Sequence, residues 1–147
     1  MSASAFRQVQ NAIQAALQAA PGLSGVSVFA NRTRSLPREE QVGVLIRLDR
    51  TRQDPVSPLG VRDWTTAFEV EIVARGASGA DPAAAIDDPL QAAWLALHGL
   101  TAPGLIEVDA DPEIDWTFDA GDTPLASALF RLTVQHRTEG NTLNPKD

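Results

Sequence analysis

The chain has no cysteine and no tyrosine. The first absence excludes a disulfide framework, a Cys-ligated zinc site and a thiol nucleophile. It also fits a reducing compartment. The second holds aromatics to 5% of residues, so the core must come from Val, Leu, Ile and Ala around Trp64, Trp94, Trp116 and a few Phe. A carbohydrate site, with aromatic platforms beside paired carboxylates, is not expected from so few rings. No apolar run approaches the roughly 20 residues that span a bilayer, so no membrane partner is expected. Residues 1–18 lack both the basic and the continuous apolar regions of a secretory signal.

Marked chemistry is equally scarce. His98 falls at a predicted helix end, where it suits the C-terminal dipole. His136 closes the last predicted strand. Neither belongs to an HxxxH or HExxH pattern. No GxSxG marks a nucleophile. The Gly-containing run 75–80 precedes a helix but lacks the spacing of a phosphate loop. The run DADPEID at 109–115 alternates acids. Read as a calcium loop from Asp109, it puts Ile114 at position six and Ala120 at position twelve, where Gly and Glu are required. Alternating acids are what a strand with one wet face carries. No cofactor, no metal site and no catalytic residue is therefore expected. An enzyme with an unmarked site and a stand-alone ligand-binding domain remain rival readings.

Charge is present but segregated. The net charge is −7, so phosphate repels the chain as a whole and no sequence-specific nucleic-acid partner is expected. Arg32, Arg34, Arg38, Arg47, Arg50 and Arg52 nevertheless form one basic segment. Glu107, Asp109, Asp111, Glu113, Asp115, Asp119 and Asp122 form one acidic segment. Two readings stay open: solvated loops, or complementary faces through which like subunits meet head to tail.

The length of 147 residues suits one domain, 1–147, burying roughly 68–70% of its unfolded surface. Apolar residues at helical spacing predict a helix over 4–19, with Phe6, Val9, Ile13 and Leu17 inward. Alternation predicts strands over 25–30, 42–48, 64–75 and 125–137, and shorter acidic strands over 105–109 and 114–118. Asp81-Pro82 is a helix start, although Asp87-Asp88-Pro89 leaves the start open as far as Asp88. That second helix ends near His98, with Ile86, Leu90, Trp94 and either Leu95 or Leu97 buried. Residues 49–63, with Pro55, Pro58 and Gly60, read as a long irregular loop of the kind a partner orders. Residues 1–3 and 141–147 read as flexible ends. Helices do not alternate with strands, so the fold class is α+β. A mixed or mainly antiparallel sheet should carry two helices on one face.

Four stretches carry a family likeness. They are NRTRSLPREEQVGVLI at 31–46, WTTAFEVEIVARG at 64–76, the helix beginning after Asp81-Pro82 around Trp94-Leu95, and DWTFDAGDTPLASALFRLTVQHRTEGN at 115–141. In this layout the chain resembles the tail terminator proteins of long-tailed phages and prophages, the lambda tail protein U-like family. The likeness covers nearly the whole chain. It implies a non-enzymatic virion subunit, made in the bacterial host cytoplasm, that forms a hexameric ring at the head-proximal end of the tail. Such a ring stops polymerisation of the tail tube and offers a surface to the head. Its partners would be copies of itself, the tail tube protein and a head–tail connector protein. Neighbouring connector and tail-completion proteins share this size and layout and are the alternative. In this reading Arg32, Arg34, Arg38, Arg50, Arg52 and Arg62 face a neighbouring subunit or the tube. Arg137 and Thr138 form a second candidate contact. Trp64 is expected in the core.

Overall fold

A computed structural model describes residues 3–31, 36, 40–76, 81–119 and 125–146. The first helix, α1, is Ala5–Ala19. Ser4 caps it, its hydroxyl accepting from the Arg7 amide at 3.3 Å. Val9, Ile13 and Leu17 recur every four residues and are buried. Ala20 turns extended and a 3-10 turn, Pro21–Leu23, stops the helix.

Five strands follow among the described residues: β1 Ser27–Ala30, β2 Val42–Gln53, β3 Val61–Arg75, β4 Leu105–Asp119 and β5 Leu125–Glu139. The second helix, α2, is Pro82–His98 and lies between β3 and β4 in the chain. The sheet order is β1-β2-β3-β5-β4. Only β1 and β2 run parallel; every other neighbour is antiparallel. The sheet is mixed and the fold is α+β, as the order of elements predicts.

Period-two alternation decides what the sheet buries. Val44 and Ile46 of β2, Phe68, Val70 and Ile72 of β3, and Phe130, Leu132 and Val134 of β5 share one face. They join Ile13 and Leu17 of α1 and Ile86 and Leu97 of α2 in one core. Both helices therefore cover the same face. A small cluster of Leu36, Leu45 and Val73 sits on the other.

Asp81 caps α2, its carboxylate accepting from the Ala83 amide at 3.0 Å. The helix starts at Pro82 and continues through Pro89. Proline there costs the helix one backbone hydrogen bond, and Pro89 and Leu90 are buried beside it. Of the two leucines left open, Leu97 is buried and Leu95 is exposed. His98 stands at the C-terminal end, its Nδ1 2.6 Å from the Trp94 carbonyl.

Three expectations are corrected. The stretch 49–63 is not a long loop, because β2 runs on to Gln53 and β3 begins at Val61. The acidic stretch is one strand, β4, with a register irregularity between Ala110 and Ile114. The C-terminal end is folded back. The Ala5 amide donates to Leu143 O at 2.7 Å and the Lys146 amide to Arg137 O at 2.9 Å. Gly104 makes room for that return. Its φ is +75°, and a Cβ there would lie 2.6 Å from the Arg137 carbonyl oxygen.

Candidate interaction surfaces

β5 flanks β3 along its whole length, Val61 to Arg75, so only the tip of the β2–β3 hairpin lies past the ladder. β1 pairs with β2 only from Gly43 to Ile46; the Leu48 amide donates to Asn31 Oδ1 at 2.8 Å, and beyond it no strand pairs with the outer side of β2 among the described residues. A bulge between Leu48 and Arg50 resets the register. Beyond it, Arg50 lies opposite Ala67 and Arg52 opposite Thr65, on the helix-free face. Thr51 and Gln53 lie opposite Thr66 and Trp64, on the helix side.

The tip, residues 54–60, is tied down. The Asp54 amide donates to Asp63 O at 2.9 Å. The Asp63 amide donates to Ser57 Oγ at 3.0 Å. The Asp54 carboxylate accepts from Thr65 Oγ1 at 2.9 Å and from Gln135 Nε2 at 3.1 Å. The Gly140 amide donates to Gly60 O at 3.0 Å. What the tip leaves outside is apolar: Val56 is 86% exposed and Leu59 fully so, at 104%.

The base of the hairpin is a polar layer. Arg137 holds Asp63 through two hydrogen bonds, Nε–Oδ1 at 2.7 Å and Nη2–Oδ2 at 3.0 Å. The Arg137 hydrogen bond holds the Asp63 carboxyl below its usual range against the opposing effect of burial. Trp64 Nε1 donates to Thr138 Oγ1 at 2.9 Å, and the Trp64 ring stands edge-on to Phe6 at 5.4 Å. His136 is buried. Its Nε2 is 2.8 Å from Thr66 Oγ1, which is 3.0 Å from Thr51 Oγ1. Its Nδ1 has no partner among the described residues. Burial lowers the His136 pKa to about 4, with the Asp54 carboxylate pulling weakly the other way. The imidazole is therefore neutral at pH 7.

These positions sort the candidate contacts. Arg32, Arg34 and Arg38 lie outside the described residues. Arg50 and Arg52 flank a shallow hollow of about 240 Å³ with Thr65, Ala67 and Thr133. Neither makes an ion pair among the described residues. Both sit on a strand, not in the loop expected. Arg62 is engaged within the chain, donating to Gly140 O at 2.7 Å and to Gln53 Oε1 at 3.0 Å. Arg137 is engaged with Asp63. Thr138 is fully buried, so it offers no surface to a partner. Of the acidic segment, Glu107, Asp109, Asp111, Glu113, Asp115 and Asp119 lie on the edge strand β4, two strands removed from the hairpin across β5, and Asp122 lies outside the described residues. Among the described residues no three His, Asp or Glu side chains converge on one point.

A second feature has no marker in the sequence. The end of α1, the 3-10 turn, α2 and β4 enclose an apolar groove of about 900 Å³. Ala16, Pro21, Leu90, Trp94, Leu95 and Ile114 form much of its wall. Gly22 permits the close fit of the turn to α2, since a Cβ there would lie 2.7 Å from the Ala92 Cβ. Leu95 is 77% exposed at its mouth. The polar residues beside the groove are acidic. The Asp87 carboxylate accepts from the groove residue Gln91 at 2.9 Å, and Asp111 and Glu113 precede Ile114 on β4.

This architecture has a solved counterpart. The chain matches one described as "Virion of native gene transfer agent (GTA) particle" with a TM-score of 0.60 and 18% identity. The match covers 91% of this chain and 99% of that one. At that identity the fold is what the two share. No protein-family model matches the chain, and no curated protein matches it in sequence.

Proposed function

We propose that this chain is a structural virion subunit that caps the tail tube of a phage or prophage as a ring. The observation that carries the reading is the fold shared, across 99% of its length, with a chain of a phage-like virion particle. The sequence resemblance to tail terminators adds the tail as the place and the tube, the connector and further copies as partners. The surface chemistry supports a subunit built for assembly. Arg50 and Arg52 are cations without an ion-pair partner among the described residues, β4 is an acidic edge, and aliphatic side chains project from a fixed hairpin tip. Opposite charges on different surfaces of one subunit suit heterologous contacts, which close into a ring when the rotation between copies allows it. The role is mechanical: it ends tube growth and presents a face to the head.

Immunogold labelling of intact virions with an antibody to this chain tests the placement. A single focus of gold at the head–tail junction is expected. Gold along the tail, or over the head alone, would contradict the reading.

A further inference from the structure

The hairpin tip and the helix groove are complementary, and among the described residues no other segment fills the groove. The tip presents Val56 and Leu59 on a loop pinned by Asp63, Thr65, Gln135 and Gly140. Such a pre-organised projection loses little conformational freedom on docking. The groove is lined by aliphatic and aromatic side chains around Leu90, Trp94, Leu95 and Ile114. An apolar hollow of this size open to water is the kind of surface that marks an interaction site.

The tip of one chain does not reach that chain's own groove. Ile114 on the groove wall pairs across β5 with Phe130, and Phe130 with Val70 of β3. The tip starts only beyond Val61, at the end of that strand. The stretch from Val70 to Val61 is extended and spans roughly 30 Å at about 3.3 Å per residue. The tip thus projects away from the groove, along the strands.

Charge names the occupant. The Asp87 carboxylate, bonded to the lining residue Gln91, lies beside the groove, and none of the groove-lining residues is basic. Arg50 and Arg52, which make no ion pair among the described residues, stand a few residues behind the tip on β2. A second copy of this chain brings an apolar knob and a basic arm to an apolar groove with an acidic rim. The geometry points to a head-to-tail contact in which Val56 and Leu59 of one subunit enter the groove of the next. Arg50 and Arg52 then meet the acidic rim. Tip and groove are different surfaces, so the contact repeats from copy to copy instead of stopping at a dimer. The inference rests on the ring reading and adds the surfaces that close the ring.

The absence of native cysteine allows a clean test with the full-length chain. One preparation carries Leu59→Cys and another Leu95→Cys, both at exposed positions. They are mixed, treated with a short bismaleimide, and the linked peptides are identified by mass spectrometry. The wild-type chain is sized in parallel by sedimentation over a range of concentrations. Links between 59 and 95 are expected to exceed 59–59 and 95–95 links by at least tenfold. Leu59→Asp is expected to keep the wild-type melting temperature and lose at least tenfold in assembled fraction. A wild type that assembles without 59–95 links overturns the tip–groove contact and leaves the ring reading standing. A wild type that stays monomeric throughout and yields no 59–95 link overturns the contact and withdraws self-assembly from that reading as well.

Discussion

His136 shows what a buried ionisable side chain costs. It lies under Phe6, ring to ring at 5.1 Å, with one nitrogen satisfied by Thr66. Its folded pKa is about 4, below the ordinary 6.5. The sign follows directly. Between about pH 6.5 and 4 the unfolded chain takes up a proton that the folded chain refuses, so stability falls as pH falls. Below about pH 4 the whole loss is present, on the order of 3 kcal/mol for that shift. Asp63 acts in the same direction at lower pH. Its carboxyl is held below 3.8 by Arg137, so that contribution is present above the unfolded value and disappears as pH drops through the folded one. Urea midpoints measured from pH 7 to 4 should decline for the wild type. His136→Gln, which does not titrate, should remove the part of the decline between pH 6.5 and 4. An unchanged slope in the variant would assign that decline to other groups. None of this was legible in the sequence. His136 reads there only as the residue beside Arg137, because burial is set by what α1 lays over it.

At the scale of elements, the helices and the central strands were legible because each buries a periodic stripe. Val9, Ile13 and Leu17 keep helical spacing, and Phe68, Val70 and Ile72 alternate. The outer hairpin was not legible, for a physical reason. Past the bulge at Leu48 and Arg50 the layer under α1 turns polar: Thr66 and His136 are buried there, and Phe6 packs on Trp64 and His136. What is buried there is hydroxyl and imidazole, so apolar alternation stops while the backbone ladder continues. Polar Thr51 and Gln53 then occupy the helix side and Arg50 and Arg52 the other. With Pro55, Pro58 and Gly60 following, the stretch reads as a loop although most of it is strand. The same logic merges the two acidic segments into β4, whose outer residues face water on an edge. Charge on such an edge also discourages indiscriminate strand pairing. Arg50 and Arg52 make no ion pair among the described residues, which makes them the decisive element-scale test. Arg50→Glu with Arg52→Glu should leave the melting temperature within about 3 °C of wild type, as surface changes do. Assembly of the double variant should weaken sharply, and added salt should weaken wild-type assembly in the same direction. Sedimentation at two ionic strengths checks both, and a double variant that assembles like wild type would remove these arginines from the contact.

For the whole molecule, the sheet, the two helices on one face and the solved virion-particle chain that shares this architecture make a scaffold whose distinctive surfaces lie outside the core. The groove was illegible because it joins α1, α2 and β4, three segments far apart in the chain. Leu95 and Leu97 read as equal candidates for the core in sequence, and Leu95 turns out to stand at the mouth of that groove. The tip left a faint trace, two aliphatic residues among prolines, without a period to explain them. The central claim is that the chain ends tail growth and joins tail to head. Electron microscopy of particles from the source phage or prophage with this gene disrupted tests it most directly. Overlong tubes without heads are the expected result. Tails of normal length that fail to join heads would replace the terminator role with that of a connector, and unaltered virions would contradict the account.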